Sequence, residues 1–231
     1  AKHGNRSVTS KSGSADVLKA LGVNIEVDVA KVEQCIHEVG IGFLFAPLLH
    51  GAMKYAAPVR GEIGIRTIFN VLGPLTNPAG AKCQVLGVYD PALTDLMAKV
   101  LLNLGSVHAF VVHGEDGLDE ITLTTSTKVT ELKDGDIRSY HVEPKDFGLE
   151  PCSASELKGG EPEENAKIII NILNGSDKGP KRDIVLLNAA PAIVAAGKAN
   201  SLGEGVAVAR GAIDSGIAFE KLEALKKLTS E

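Results

Sequence analysis

Between residues 83 and 114 the chain alternates two hydrophobic rhythms. CQVLGVYD (83–90) is an apolar run of strand length, PALTDLMAKVLLNLG (91–105) spaces its apolar residues at helical intervals until Gly105, and VHAFVVHG (107–114) is a second apolar run. Strand, helix and strand in that order predict an α/β domain with a central, mainly parallel sheet, because a crossover helix returns the chain in the same direction. Residues 121–143 follow another rule. Thr, Val and Leu alternate with polar residues around Asp134–Gly135, a pair suited to the positive φ angles of a hairpin turn, so an antiparallel excursion is expected. Helical spacing returns in ENAKIIINILNG (164–175), DIVLLNAAPAIVAAGKA (183–199) and the segment from Val206 to Thr229, punctuated by Gly and Pro.

The front of the chain has a different texture. AKHGNRSVTSKSGSAD (1–16) is polar, small and without hydrophobic periodicity, and a short helical signal follows from Asp16 to Leu21. Asp28 reads as the N-cap of a helix carrying Val29, Val32, Ile36 and Val39. After Pro47, the residues Leu48, Leu49, Ala52, Met53 and Ala56 form the stripe of a further helix that stops before Pro58. These two helices need a partner surface.

Composition narrows the class. With 44% hydrophobic and 23% charged residues over 231 positions, the chain can bury a core, which excludes a disordered or fibrous protein. No apolar run approaches the roughly 18 residues of a membrane span, and no signal-like segment is present, so neither a membrane partner nor export is expected. Cys35, Cys83 and Cys152 are far apart and odd in number, which suits neither a disulfide framework nor a zinc cage and points to a reducing cytoplasm. A net charge of −5, 4% aromatics and no Trp remove the basic surface and stacking platforms of a nucleic-acid binder.

Three stretches carry candidate chemistry. The first is the opening segment, where Lys2, His3, Asn5, Arg6, Ser7, Thr9, Ser10, Lys11, Ser12 and Ser14 surround two glycines just before a helix beginning near Ala15. Cations, small hydroxyls and backbone N–H groups in that combination suit a phosphate. The second is HGEDGLDE (113–120), at the carboxyl end of an expected strand, where ligands of open α/β sheets bind. Its adjacent carboxylates Asp119 and Glu120 are hard oxygen ligands suited to a Mg²⁺ ion that also holds phosphate oxygens. The third is PVRGEIGIRTIFNVLGPLTNP (58–78), where Arg60 and Arg66 precede Asn70 and an arginine can grip a carboxylate with two hydrogen bonds. The alternative there is a cap or a pair with Glu62, above all for Arg66. His37, His108 and His141 read as structural, and His50 as a packed or capping residue. Gly203-Glu204-Gly205 is no dinucleotide loop, because Val208 stands at the third glycine position and no strand precedes it.

Taken together, KHGNRSVTSKSGSADVLKALGV (2–23), FAPLLHGAM (45–53), residues 58–78 and GLDEI (117–121) closely resemble the anthranilate phosphoribosyltransferase family. The resemblance runs through nearly the whole chain. It implies a homodimeric, Mg²⁺-dependent enzyme of tryptophan biosynthesis, with a large α/β domain and a small helical domain, that transfers phosphoribose from phosphoribosyl pyrophosphate to anthranilate. Carried over residue by residue, Lys2, His3, Gly4, Asn5, Arg6, Ser7, Thr9, Ser10 and Ser14 match the phosphoribosyl pyrophosphate loop, with Thr9 where many relatives have Ser. Asn5 and Arg60 match anthranilate-binding positions, His3 and His50 lie in motifs along that substrate's path, and Asp119 with Glu120 match the metal pair. No single catalytic acid, base or nucleophile is implied.

The resemblance also implies helices and pyrophosphate-binding loops upstream of Ala1, so the chain is expected to be the larger part of a longer protein, inactive and poorly stable alone. The expected division is 1–27 for the loop and the start of the α/β domain, 28–58 for a remnant of the helical domain through which the dimer forms, and 59–231 for the α/β catalytic domain. Two rivals remain. One is a pyrimidine nucleoside phosphorylase on the same fold. The other is a non-catalytic relative that binds nucleic acid, against which the net charge speaks.

Overall fold

The computed structural model describes residues 1–6, 11–49, 51, 55, 62 and 72–231. The chain divides into two compact units, one of Ala1–Gly80, Gly159–Ile170 and Ile217–Glu231, the other of Ala81–Lys158 and Asn171–Gly216.

In the first unit, Lys2–Gly4 (β1) leads through the polar opening to Ser14–Ala20 (α1) and Val29–Glu38 (α2), followed by Phe43–Phe45 (β2) and Ala46–Leu49 (α3). The opening shows no hydrophobic periodicity, yet its first residues pair in parallel with β2, Lys2 opposite Phe43 and Gly4 opposite Phe45. The partner strand supplies the hydrogen bonds and the buried apolar surface that the segment KHG lacks. Asp28 caps α2 as expected, its Oδ1 accepting the Lys31 N–H at 2.8 Å. The helix buries Val32 and Cys35, whereas Val29 is exposed. Of the further helix expected after Pro47, Ala46–Leu49 and Tyr55 are helical among the described residues; Ala52, Met53 and Ala56 lie outside them.

The second unit opens with Cys83–Gly87 (β3), Leu93–Asn103 (α4) and His108–Gly114 (β4). β3 and β4 pair in parallel, and every residue of β4 is buried, as befits the middle of a covered sheet. Thr127–Lys133 (β5) and Asp136–Val142 (β6) add antiparallel strands in the order β3-β4-β5-β6, giving the expected α/β fold a mixed sheet among the described residues. Asp134 (φ +50) and Gly135 (φ +93) make the anticipated hairpin turn. Pro162–Leu173 (α5), which belongs to the first unit as far as Ile170, Pro180–Ala195 (α6) and Leu202–Asp214 (α7) follow, and α6 packs on β3, β4 and α7. Gly205 shows why the GEG sequence is not a nucleotide loop: a Cβ there would lie 2.8 Å from the Ala190 carbonyl oxygen, so this glycine lets α7 approach α6. The long helical tail breaks at Gly216 (φ +80), and Ile217–Ser230 (α8) belongs to the first unit, packed on α2.

The sheet buries one charge. Glu131, 3% exposed, accepts hydrogen bonds from His108 Nε2 (2.9 Å), Arg138 Nη2 (2.7 Å) and Tyr140 Oη (3.1 Å). Burial pushes its pKa up, but the Arg138, His108 and Tyr140 donors outweigh that and hold it below the ordinary glutamate value. The structural reading of His108 is thereby explained. Glu131→Gln is expected to cost about 2 kcal/mol in guanidinium unfolding at pH 7, since the charge-assisted bonds are lost. A depressed carboxyl pKa stabilises the fold above the unfolded-state value and ceases to do so as pH falls through the folded value. The gap between wild type and variant should therefore narrow below about pH 4.

Candidate functional site

β1 delivers Lys2, His3 and Gly4, and Asn5 with Arg6 follow directly. A Cβ on Gly4 would stand 2.7 Å from the Phe43 ring and 2.8 Å from Ser14 Oγ, so glycine is required where the strand passes between them. Ser14, the first residue of α1, is thus brought against Gly4, and the Ala15 N–H donates to the Asn5 carbonyl at 3.4 Å. The Lys2 ammonium donates to the His3 carbonyl at 2.8 Å, and desolvation lowers its pKa although the residue is exposed overall. His3 Nδ1 lies 3.1 Å from the Gly73 carbonyl oxygen. Arg6 makes an exposed ion pair with Glu26 at 2.7 Å and lies over the ring of the buried Phe45 at 5.6 Å.

The loop returns to a fixed point. Asn165 Nδ2 donates to Ser12 Oγ at 2.6 Å and to the Gly160 carbonyl at 2.9 Å, while its Oδ1 accepts the Gly160 N–H at 2.9 Å. Both ends of the loop are therefore anchored within the first unit. Ser7, Thr9, Ser10, His50, Arg60, Arg66 and Asn70 lie outside the described residues.

In the second unit, Asp119 and Glu120 occupy the loop beyond the carboxyl end of β4. Asp116 shapes this loop: Oδ2 accepts from Thr122 Oγ1 at 2.6 Å and Thr124 Oγ1 at 2.5 Å, and Oδ1 accepts the Leu118 N–H at 3.2 Å. Burial pushes the Asp116 pKa up, but these donors outweigh it and the net shift is downward. The end of β3 crowds the same loop, since a Cβ on Gly87 would lie 1.6 Å from the Asp119 carbonyl oxygen. From α6, Asn188 Oδ1 accepts the Ile121 N–H at 2.8 Å and Asn188 Nδ2 donates to the Ile121 carbonyl at 2.9 Å. Gly87→Ala is expected to destabilise the second unit by at least about 2 kcal/mol, because backbone rather than a flexible side chain must yield; a melting curve checks it.

Desolvation, then the neighbouring Asp119, raises the pKa of Glu120, and neither residue has an ion-pair partner among the described residues. Two adjacent carboxylates in this condition fit a hard divalent cation, which relieves both the repulsion and the desolvation. Among the described residues no cluster of three or more His, Cys, Asp or Glu assembles. A separate cavity of about 590 Å³ in the second unit is lined by none of the expected site residues.

Two supports escape the motif reading. Asn165 reaches the Ser12 hydroxyl and Asn188 the Ile121 backbone, both distant in sequence; the one local sign of the latter is a lone Asn between Leu187 and Ala189 in the apolar run that follows Asp183.

Residues 1–219 match the family described as "Glycosyl transferase family, a/b domain". The anthranilate phosphoribosyltransferase of Acetivibrio thermocellus is 57% identical over 230 residues, 100% of this chain and 66% of that protein. The chain thus spans about two thirds of the length of that curated relative. The crystal structure of the anthranilate phosphoribosyltransferase from Thermus thermophilus superimposes with a TM-score of 0.94 at 47% identity, covering 100% of this chain and 68% of that one. The Saccharomyces cerevisiae enzyme in complex with phosphoribosyl pyrophosphate and Mg matches with a TM-score of 0.87 at 34% identity, covering 99% and 64% respectively. A structure of the same yeast enzyme with 4-fluoroanthranilate gives 0.85 at 32% identity, covering 94% and 63%. The chain therefore belongs to the glycosyl transferase family, among its anthranilate phosphoribosyltransferases.

Proposed function

We propose that the whole protein transfers the phosphoribosyl group of phosphoribosyl pyrophosphate to anthranilate, releasing pyrophosphate and N-(5-phosphoribosyl)anthranilate, a step of tryptophan biosynthesis. The observation that carries this reading is the match along essentially the whole chain to a yeast enzyme holding phosphoribosyl pyrophosphate and Mg. In the reaction the anthranilate nitrogen forms a bond to the anomeric carbon as the bond to pyrophosphate breaks. The aromatic amine is neutral at pH 7, so its lone pair is available without a strong base.

The chain's residues would bind and orient. Lys2, His3, Gly4, Asn5, Arg6, Ser7, Thr9, Ser10 and Ser14 form the loop proposed for the phosphoribosyl pyrophosphate. Arg6 is held by a surface ion pair worth at most about 1 kcal/mol, so exchanging Glu26 for a phosphate oxygen costs little. Asn5 and Arg60 are proposed to hold anthranilate, with His3 and His50 along its path. Asp119 and Glu120 would hold Mg²⁺, which supplies positive charge to the departing pyrophosphate. Holding both reactants aligned replaces two encounters by one.

We also place residues 28–58 in a helical domain through which two copies associate; the exposure of Val29 (62%), Leu48 (55%) and Tyr55 (75%) supports an apolar partner there. A cytoplasmic location agrees with three free cysteines, and among the described residues no helix is long and apolar enough to cross a membrane.

The test is product analysis with the whole protein, anthranilate, phosphoribosyl pyrophosphate and Mg²⁺. One pyrophosphate per anthranilate consumed is expected. Phosphorolysis of thymidine, without consumption of anthranilate, would favour the nucleoside phosphorylase.

A further inference from the structure

We propose that Asn188 is a positioning residue for the Asp119–Glu120 pair; this rests on the reading of that pair as metal-holding. Ile121 follows Glu120 directly, and its two backbone groups are both bound by one side chain, the N–H by Asn188 Oδ1 and the carbonyl by Asn188 Nδ2. That is the work a neighbouring strand does, carried out by an amide from a helix. The amide is itself immobilised, since Nδ2 also donates to the Ile184 carbonyl at 3.0 Å. The Ile121 side chain is 2% exposed, so the residue cannot swing outward to relieve a lost bond. On the other side, the backbone of Gly87 abuts the Asp119 carbonyl with no room for a methyl group. The peptide carrying both carboxylates is gripped at Asp119 by β3 and just beyond Glu120 by Asn188. Two adjacent side chains on one bend of the backbone serve one cation only if the intervening backbone angles are held, and Asn188 holds them.

The experiment uses the whole protein and Mn²⁺ alone as the probe, its binding followed by the free-ion electron paramagnetic resonance signal. Asn188→Ala is expected to weaken Mn²⁺ binding by about tenfold, the usual effect of removing an outer-sphere support. The Mg²⁺ concentration for half-maximal turnover should rise in parallel, with KM for anthranilate changed less than about twofold. Asn188→Ser guards against a folding defect, because its hydroxyl can bond the Ile184 carbonyl one turn back but does not reach Ile121. It should show the same loss of Mn²⁺ affinity. A lowered melting temperature with unchanged Mn²⁺ binding and Mg²⁺ dependence in both variants would reduce Asn188 to a scaffold residue and overturn the proposal. Failure of the metal reading has its own signature: Mn²⁺ binding would survive Asp119→Asn with Glu120→Gln, removing the premise as well.

Discussion

Asp119→Asn combined with Glu120→Gln is expected to lower Mg²⁺-dependent turnover of the whole protein by about three orders of magnitude, some 4 kcal/mol of transition-state stabilisation. The substitutions keep the shape of both side chains and remove only charge. Since neither carboxylate has a cationic partner among the described residues, the fold should lose nothing; relief of the repulsion and desolvation that raise the Glu120 pKa should leave the melting temperature level or higher. Initial rates across a Mg²⁺ titration, beside a melting curve, check both halves. Unchanged rates would remove the pair from the metal site.

The second large effect concerns the acceptor. Arg60→Ala should raise KM for anthranilate by about 100-fold, near 2.7 kcal/mol, the scale of a two-point charge-assisted hydrogen bond to a carboxylate. The KM for phosphoribosyl pyrophosphate should stay within about twofold, because uniform binding of one substrate is what is removed. Arg60→Lys should recover only part of the loss, since an ammonium lacks the planar fork. Equal increases in both KM values would place Arg60 elsewhere.

What the sequence revealed divides along physical lines. The strand 108–114, the helix ending before Gly105, the Asp134–Gly135 hairpin and the Asp28 cap are governed by neighbours within a few positions, and each is where the hydrophobic pattern or turn chemistry puts it. The strand Lys2–Gly4 is not legible, because its partner is Phe43–Phe45 and its own residues show no alternation. The division of the tail at Gly216 is likewise hidden, since apolar spacing continues from α7 into α8 and only the positive φ of one glycine separates them.

The candidate site shows the same split. Asp119 and Glu120 announce themselves by residue type and by their place after an apolar run. Asp116, Gly87 and Asn188, which hold that pair in place, do so through a loop-internal carboxylate, a glycine chosen for what it lacks, and an amide reaching a backbone 67 residues away. Asn165 serves the opening loop through the Ser12 hydroxyl, across 153 residues. Such contacts leave no spacing rule in a single chain.

The central claim is tested most directly by the fluorescence of anthranilate incubated with the whole protein, phosphoribosyl pyrophosphate and Mg²⁺. The account predicts a loss of fluorescence that requires all three additions and stops on chelation of the metal. Fluorescence that persists while the same protein cleaves thymidine with inorganic phosphate would contradict it.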